Sequence, residues 1–352
     1  MAKIKVLIVD DSAVIRKLFS KIVSMCPDME LVATAPDPYV AREKLVEHKP
    51  DVMTLDVEMP RMDGLSFLER VMQFMPTRTL VISSLAKEGS ETALRALELG
   101  AIDVVEKPSL DVTKSLEEMS QKIADKIRMA AKAKLQPRTA AEFSKIVKPK
   151  ISPTALAKTT HQLLAIASST GGTEALKVLL QGLPPDLPGT VIVQHMPAGF
   201  TKTYADSLNS RYPFEVKEAQ DGDKVMPGRV LIAPGNFHME LTRNGAYYHV
   251  KLHQGPMLHG VRPAADYLMK TVAKFAGSNA MGVVLTGMGK DGAEGLLEMK
   301  KAGAYTIAQS EKTCVVYGMP GAAVQAGAVD SILDLDKIAT DLCTQFAKRN
   351  VA

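Results

Sequence analysis

The chain has 352 residues, of which 46% are hydrophobic and 23% charged, and its formal net charge is +4. This length allows two domains with separate cores, and so small a charge does not by itself indicate a nucleic-acid-binding protein. Three cysteines without metal-ligand spacing argue against a zinc site or disulfide framework. Since no apolar run approaches the ~20 residues of a membrane helix, we expect a soluble, cytoplasmic monomer that does not insert into membranes.

Short apolar strands alternate with helical patterns in residues 1–125, which form the first predicted domain. This alternation predicts a five-stranded parallel sheet wrapped by helices, the flavodoxin-like form of the α/β class. The predicted strands are residues 4–9, 31–35, 52–55, 80–83 and 102–105. The clearest helical patterns cover residues 12–25, 65–75 and 91–99.

Polar side chains stand at the carboxyl ends of these strands, where parallel sheets bind ligands. They are Asp10 and Asp11, Asp56, Ser83 and Lys107. An Asp-Asp pair often serves only as a helix cap, but three converging carboxylates repel one another unless a cation lies among them. Oxygen ligands favour Mg²⁺. Lys107 and a hydroxyl would complete a phosphoryl pocket in which the Asp56 carboxylate attacks phosphorus.

Together with the run from Met59 to Gly64 and the Lys107-Pro108 dipeptide, this set resembles the receiver domain of bacterial response regulators. The resemblance covers the whole first domain. It implies that a histidine kinase phosphorylates Asp56 and that Asp10, Asp11 and Asp56 hold Mg²⁺. It also implies that Ser83 and Lys107 sense the phosphoryl group.

A basic segment, residues 126–160, separates the two predicted domains. This segment is rich in lysine and arginine and contains almost no acidic residue but Glu142, and its three prolines would interrupt any long helix. Such a composition favours a solvated tether. A docking strip for an acidic partner surface is the alternative, and the sequence does not decide between them.

Residues 161–352 form the second predicted domain, in which strands and helices alternate again. The pattern predicts a doubly wound, mostly parallel sheet with helices on both faces. The predicted strands are residues 163–167, 191–194, 230–233, 281–286, 305–308 and 329–333. Residues 239–252 instead predict a β-hairpin with a tight turn at Asn244-Gly245.

Ser169 follows the first of these strands and precedes a helical pattern. A serine there is held out of the sheet, and the N–H groups of the helix favour an oxyanion beside it. The alternative is that the hydroxyl residues only cap the helix. Two later strand ends supply the partners that a catalytic serine needs.

His195 and Asp291 follow two other buried strands of the same sheet. A serine needs a base, histidine can act as one near neutral pH, and a carboxylate fixes its tautomer and stabilises its cation. Asp291 alternatively caps the helix beginning at Ala293. Four other histidines of this domain remain competing candidates for the base: His238, His249, His253 and His259.

With a receiver ahead of it, this domain resembles the protein-glutamate methylesterases of bacterial chemotaxis, the CheB family. The motifs that carry the resemblance are Ser169-Thr170-Gly171-Gly172, Gln194-His195-Met196-Pro197 and Leu285-Thr286-Gly287-Met288-Gly289 with Asp291-Gly292. The resemblance implies Ser169 as nucleophile, His195 as general base and acid, and Asp291 as orienting carboxylate. The Met288 N–H is a candidate oxyanion donor, and Thr170 a candidate neighbour of the site.

The same resemblance implies a substrate and a mode of control. The substrate is a glutamyl methyl ester on a chemoreceptor, methanol is released, and particular glutamines are deamidated. Ester hydrolysis requires no cofactor. In this family the receiver covers the esterase site until phosphorylation moves it away, a population shift.

The chain departs from the family pattern in three places. Ala167-Ser168 stands where Gly-Ala is expected before the nucleophile, and Lys290 replaces an expected asparagine. Residues 260, 261 and 264 are Gly, Val and Ala where Arg, His and Ser are expected. If this loop positions the substrate, the receptor that this protein prefers differs from that of family members with the expected residues.

Two other functions compete with this interpretation. Residues 287–292 match Gly-x-Gly-x-x-Gly after a strand, and Glu311 lies about 20 residues further on, as in a dinucleotide-binding module. Asp291 would, however, place negative charge beside the pyrophosphate. The second alternative is a phosphorylation-controlled interaction protein with an inert esterase domain.

Overall fold

The computed structural model describes residues 2–59, 64–83, 87–107, 116–135 and 162–349. The chain divides into two compact units, Met1–Lys145 and Ile146–Ala352. Within the described residues, no helix combines the length and apolar character needed to cross a bilayer.

The first unit is a parallel sheet of five strands in the order β2-β1-β3-β4-β5. This is the flavodoxin-like order, which confirms the predicted receiver architecture. Its strands are β1 (Ile4–Val9), β2 (Met29–Ala35), β3 (Val52–Asp56), β4 (Arg78–Ser83) and β5 (Asp103–Glu106). Its helices are α1 (Ala13–Ser24), α2 (Pro38–His48), α3 (Gly64–Phe74), α4 (Lys87–Glu98) and α5 (Leu116–Lys132).

Helix α2 begins with two local signals that its weak apolar periodicity obscures. The Asp37 side chain accepts hydrogen bonds from the N–H groups of Tyr39 and Val40. Pro38 occupies the first turn, where its missing N–H costs no intrahelical hydrogen bond. Capping chemistry therefore defines this helix better than hydrophobic spacing does.

Helix α5 extends to Lys132, so the first residues of the predicted tether belong to the receiver unit. Lys126 lies 2.9 Å from an oxygen of Asp103, and Arg128 lies 2.8 Å from an oxygen of Asp28. The prediction of a solvated segment starting at residue 126 was therefore wrong for 126–132. Residues 136–160 of the predicted tether, like His161, lie outside the described residues.

The second unit contains a seven-stranded sheet in the order β15-β14-β13-β6-β7-β10-β8, in which every neighbouring pair is parallel. Its strands are β6 (Leu163–Ser168), β7 (Gly189–Gln194), β8 (Glu215–Glu218), β10 (Arg229–Ile232), β13 (Ala280–Val284), β14 (Tyr305–Gln309) and β15 (Ser331–Leu333). Its helices are α6 (Gly172–Gln181), α7 (Phe200–Asn209), α8 (Ala265–Ala276), α9 (Ala293–Lys301), α10 (Met319–Gln325) and α11 (Leu335–Arg349). The prediction of a doubly wound sheet is confirmed.

A small antiparallel sheet of β9 (Lys224–Val225), β11 (His238–Asn244) and β12 (Tyr247–His253) accompanies the main one. It contains the predicted hairpin. Because Asn244 pairs with Tyr247, the turn consists of Gly245 and Ala246, one residue later than expected. Gly245 has φ of 58°, which glycine adopts readily.

Strand β6 determines where a site can form in this unit. It is the first strand of this unit in chain order, and its neighbours β7 and β13 lie on opposite sides. The chain therefore passes from β6 to β7 on one side and later returns as β13 on the other, so the carboxyl ends of the three strands border one crevice. This is the position at which parallel α/β sheets bind ligands.

Candidate functional site

Ser169 occupies a turn between β6 and α6. Its N–H donates to the Thr286 carbonyl at 3.0 Å, and its own carbonyl accepts from the Gly172 N–H at 2.7 Å. The N-cap of α6 is Gly171, which makes no side-chain capping hydrogen bond and has φ of 76°. Neither serine is thus the helix cap, and the capping interpretation of Ser169 was wrong.

The adjacent Ser168 points into the protein. Its side chain is completely buried, and its hydroxyl donates to Gln194 Oε1 at 2.6 Å. Ser169, by contrast, is partly exposed. Of these two neighbouring serines, Ser169 is therefore the one that is exposed to solvent.

The Gln194 side-chain amide links the two residues that the sequence analysis assigns as nucleophile and base. Its Nε2 donates to the Ser169 carbonyl at 2.9 Å and to the His195 carbonyl at 3.2 Å. Gly172 leaves room for this amide, because a Cβ there would collide with Gln194 Oε1. From the sequence, Gln194 was expected to end a strand and to belong to the Gln194-His195-Met196-Pro197 motif, but not to link these two residues. A polar residue closing a buried strand was the available signal.

His195 and Asp291 form a close pair, with His195 Nε2 2.8 Å from Asp291 Oδ2. This contact leaves Nδ1 as the ring nitrogen for Ser169. The hydrogen bonds of the described residues include none between the Ser169 hydroxyl and His195. Catalytic hydrogen bonds often tighten only when substrate binds, so this geometry is compatible with catalysis.

Asp291 is held ionised by the N–H groups around it. Burial alone would raise its pKa, but the hydrogen bond with His195 and those from the backbone of Ala265 and Asp266 outweigh burial and lower it. The Ala265 N–H donates to Oδ2 at 2.6 Å, and those of Asp266 and Gly292 donate to Oδ1 at 3.0 Å. An ionised, oriented carboxylate is what a histidine base requires.

Two of the four competing histidines have partners other than Asp291. His238 is fully buried, accepts from the Ala264 N–H through Nδ1 and donates to the Pro256 carbonyl through Nε2. Burial lowers the pKa of His238. His259 pairs with Asp266 at 2.8 Å. Among the histidines in the described residues, His195 is the one that pairs with Asp291 beside the Ser169 turn.

The loop after β13 packs directly against the Ser169 turn. A Cβ on Gly287 would lie 2.7 Å from the Ser169 Cβ, so only glycine permits this approach. The Gly287 carbonyl accepts from the N–H groups of Gly318 and Met319, and the Thr286 hydroxyl donates to the Thr170 carbonyl at 3.0 Å. These contacts fix the backbone around two further predicted site residues, exposed Met288 and buried Thr170.

The receiver unit brings Asp56 and Lys107 together. Asp56 is fully buried, and Lys107 Nζ lies 2.7 Å from its Oδ2. Burial opposes the charge of Lys107, but the hydrogen bond that Lys107 donates to Asp56, together with the negative charge of that carboxylate, outweighs burial and raises the pKa of Lys107. Ser83 instead donates to Glu58 Oε1 at 2.9 Å. Glu58, which the sequence analysis missed, also donates its N–H to Asp56 Oδ1.

Three carboxylates at this edge suit a hard divalent cation. One oxygen of each of Asp10, Asp11 and Asp56 lies within 4.8 Å of the others. Asp10 Oδ2 is buried and has no hydrogen-bond partner among the described residues. Burial, with Asp56 adding to it, raises the pKa of Asp10 to about 6. The orphaned oxygen and the all-oxygen donor set fit Mg²⁺.

Comparisons with known proteins agree with the two-unit architecture. Residues 164–342 match the family model for CheB methylesterase, and residues 6–119 match that for the response regulator receiver domain. The chain is 68% identical to a "protein-glutamate methylesterase/protein-glutamine glutaminase" of Bdellovibrio bacteriovorus, covering 99% of each chain. A similarly named protein of Syntrophus aciditrophicus is 53% identical over 97% of this chain and 99% of its own length.

A solved structure matches the second unit. The CheB methylesterase catalytic domain of Thermotoga maritima is 40% identical, with a TM-score of 0.52. The match covers 53% of this chain and all of that domain.

Proposed function

The chain belongs to the CheB methylesterase family, and on this premise we propose that Ser169, His195 and Asp291 hydrolyse protein glutamyl methyl esters under the control of Asp56. The protein is an enzyme with methylesterase and glutaminase activity and a receiver domain that indicates control by phosphorylation. The observation that carries the residue assignment is the His195–Asp291 pair beside the partly exposed Ser169, at the carboxyl ends of adjacent strands. The dinucleotide-binding and inert alternatives have no comparable support.

In the acylation step, the Ser169 oxygen attacks the ester carbonyl while His195 Nδ1 takes the hydroxyl proton. Asp291 keeps the Nε2 proton in place and stabilises the ring cation. When the tetrahedral intermediate collapses, His195 returns the proton to the leaving methoxide, and methanol departs. A glutamine side chain follows the same path with ammonia as leaving group.

Deacylation repeats these steps with water as nucleophile. His195 takes a proton from water, the hydroxide attacks the acyl carbonyl, and the Ser169 oxygen recovers the proton as the glutamate leaves. The transient oxyanion of either step lies beside the start of α6 and the Met288 backbone. We propose the Met288 N–H as one of its donors and buried Thr170 as part of the wall of the site.

The receiver unit supplies the control. We propose that a chemotaxis histidine kinase is the phosphodonor, that the substrates are the cytoplasmic regions of chemoreceptors, and that the enzyme works in the cytoplasm. The Asp56 carboxylate attacks phosphorus as the bond from phosphorus to the kinase histidine nitrogen breaks and that imidazole leaves, and Lys107, 2.7 Å from Asp56 Oδ2, neutralises the transferred oxygens. Mg²⁺, held by Asp10, Asp11 and Asp56, would supply further positive charge. Ser83 must leave Glu58 before its hydroxyl can reach the new phosphoryl oxygen.

Asp56→Ala is expected to keep basal ester hydrolysis and to lose its stimulation by phosphodonor, because the group that accepts phosphate is gone while Ser169 is unchanged. The measurement is the rate of methanol release from a methylated receptor cytoplasmic fragment, with and without a small phosphodonor and Mg²⁺. Asp51→Ala is a matched control, because Asp51 is exposed in the same unit and accepts from the Lys5 N–H. An Asp56→Ala protein that still responds would refute the receiver assignment.

The affinity for Mg²⁺ is expected to fall about tenfold between pH 7 and pH 5, because protonation of Asp10, with its pKa of about 6, competes with the cation. The sign follows from the raised pKa: Asp10 is mostly ionised at pH 7 and mostly protonated at pH 5. Calorimetric titration of the full chain measures the affinity, and Asp10→Asn should flatten its pH dependence. Equal affinities at both pH values would contradict the proposed ligand role of Asp10.

A further inference from the structure

A second histidine–aspartate pair lies beside Asp291. His259 Nε2 is 2.8 Å from Asp266 Oδ2, and ligand atoms of His259, Asp266 and Asp291 lie within 4.8 Å of one another. Asp266 is completely buried, whereas the His259 side chain is 18% exposed. The proposed reaction uses neither His259 nor Asp266.

The cluster is a hydrogen-bonded structure and not a cation site. Asp266 Oδ1 accepts from the Gly295 N–H at 2.7 Å, and its Oδ2 meets His259. Both oxygens of Asp291 accept from the backbone N–H groups described above as well as from His195. A metal would have to displace these donors from every carboxylate oxygen. The function of the cluster therefore lies in what it holds in place.

Asp266 fixes the beginning of α8. The residue at the N-cap of this helix makes no side-chain capping hydrogen bond, and the N–H groups of Ala265 and Asp266 end instead on Asp291. The orientation of Asp291 thus depends on where α8 starts. The Asp266 carboxylate ties that start to the first turn of α9 through Gly295. The two helices pack closely here, because a Cβ added to Gly295 would lie only 3.2 Å from Asp266 Cα.

A tight turn directs His259 toward this point. Leu258 and Val261 exchange backbone hydrogen bonds of 3.2 and 3.0 Å, which leaves His259 and Gly260 as the two turn residues. Both have positive φ, 54° and 74°, as a two-residue type I′ turn requires. Gly260, one of the departures from the family pattern, supplies the conformation that this turn needs. The departures in the loop thus accompany a turn that brings His259 to Asp266.

We propose that His259 is a positioning residue for ester hydrolysis. By holding Asp266, it fixes the start of α8, and the N–H groups at that start in turn hold Asp291, the carboxylate that orients His195. This inference rests on the proposed function. Two buried carboxylates at this separation repel each other unless each has its own partner. His195 is the ring partner of Asp291, and His259 is that of Asp266. Without His259, the Asp266 carboxylate retains the Gly295 N–H as its donor among the described residues, and the start of α8 shifts.

The test compares the full-length wild type with His259→Ala and His259→Gln at saturating phosphodonor and Mg²⁺, using methanol release from a methylated receptor fragment. His259→Ala is expected to lower kcat about tenfold, because small displacements of catalytic groups are costly, with KM changed less than about twofold. Glutamine can still donate to Asp266 and is expected to restore most of kcat. His249→Ala on β12 is the matched control and should leave kcat unchanged.

Imidazole ¹⁵N NMR of His195, assigned with His195→Ala, gives a second reading that does not depend on turnover. The Nε2–H signal is expected to shift or broaden in His259→Ala and to return in His259→Gln. An unchanged kcat and an unchanged His195 signal in His259→Ala would overturn the proposal, as would an effect on KM alone. If His259→Ala does not fold, a His259→Gln protein with a displaced His195 signal would overturn it. Failure of the wild type to release methanol would refute the proposed function instead. The NMR comparison would then still test whether His259 positions His195.

Discussion

Replacing Ser169 with alanine is expected to lower kcat/KM for methanol release by about 10⁴-fold or more, because removing a catalytic serine disables the whole nucleophile–base unit. Residual hydrolysis should come from the oxyanion donors and from substrate binding alone. KM should change little, since the Ser169 hydroxyl forms its decisive bond only during the reaction. Methanol release at saturating phosphodonor measures the loss.

Ser168→Ala is the matched control for this experiment, because it removes a neighbouring hydroxyl that is buried. Losing the 2.6 Å hydrogen bond leaves the Gln194 amide oxygen without its donor, which costs about 1–3 kcal/mol of folding free energy. We expect a lower melting temperature and a fall in kcat of at most about tenfold, since Gln194 still donates to the carbonyls of Ser169 and His195. A Ser169→Ala enzyme that outperforms Ser168→Ala would place the nucleophile one residue earlier.

Replacing His195 with alanine is expected to lower kcat by about 10⁴-fold, because the proposed base for the Ser169 proton is then gone. Asp291→Ala should be milder, about 10²- to 10³-fold, since this carboxylate acts through the ring. Asp291 also accepts the first N–H groups of α8, so its loss should lower the melting temperature more than the loss of His195 does.

Steady-state methanol release and thermal unfolding of both variants separate these two effects. Asp206→Ala is a suitable control, because Asp206 is an exposed residue of α7 that pairs with Lys202. An Asp291→Ala protein that melts earlier but keeps wild-type kcat would show that Asp291 is only a helix cap. Full activity of His195→Ala would exclude His195 as the base and make another histidine of the domain the candidate.

Much of the fold could be predicted from the sequence because it depends on local patterns. Buried parallel strands are continuous apolar runs, so the strands that carry the site were located to within a few residues. Strand β8 was missed because only Val216 of its four residues is buried, as expected for a strand at the edge of a sheet. The end of α5 was misplaced because a basic composition suggested a tether, whereas Lys126 and Arg128 pair with distant carboxylates.

The site was less predictable because its contacts join residues far apart in the chain. Strand order brings Ser169, His195 and Asp291 to one crevice. The position of His195 after a buried strand favoured it as the base, but this local pattern alone left four other histidines of the domain as candidates. What distinguishes His195 from them is the 2.8 Å contact with Asp291 across 96 positions. The hydrogen bond from Ser83 to Glu58 likewise could not be predicted, since the position of a glutamate after a strand does not indicate which residue it contacts.

The most direct test of phosphorylation-controlled ester hydrolysis is to titrate the wild type with phosphodonor in Mg²⁺ and follow methanol release together with the fraction of phosphorylated Asp56. The release rate is expected to rise in proportion to that fraction and to level off with it. Release that stays constant as Asp56 becomes phosphorylated would contradict the control by the receiver. No release from a methylated receptor fragment at full phosphorylation would contradict the esterase assignment itself.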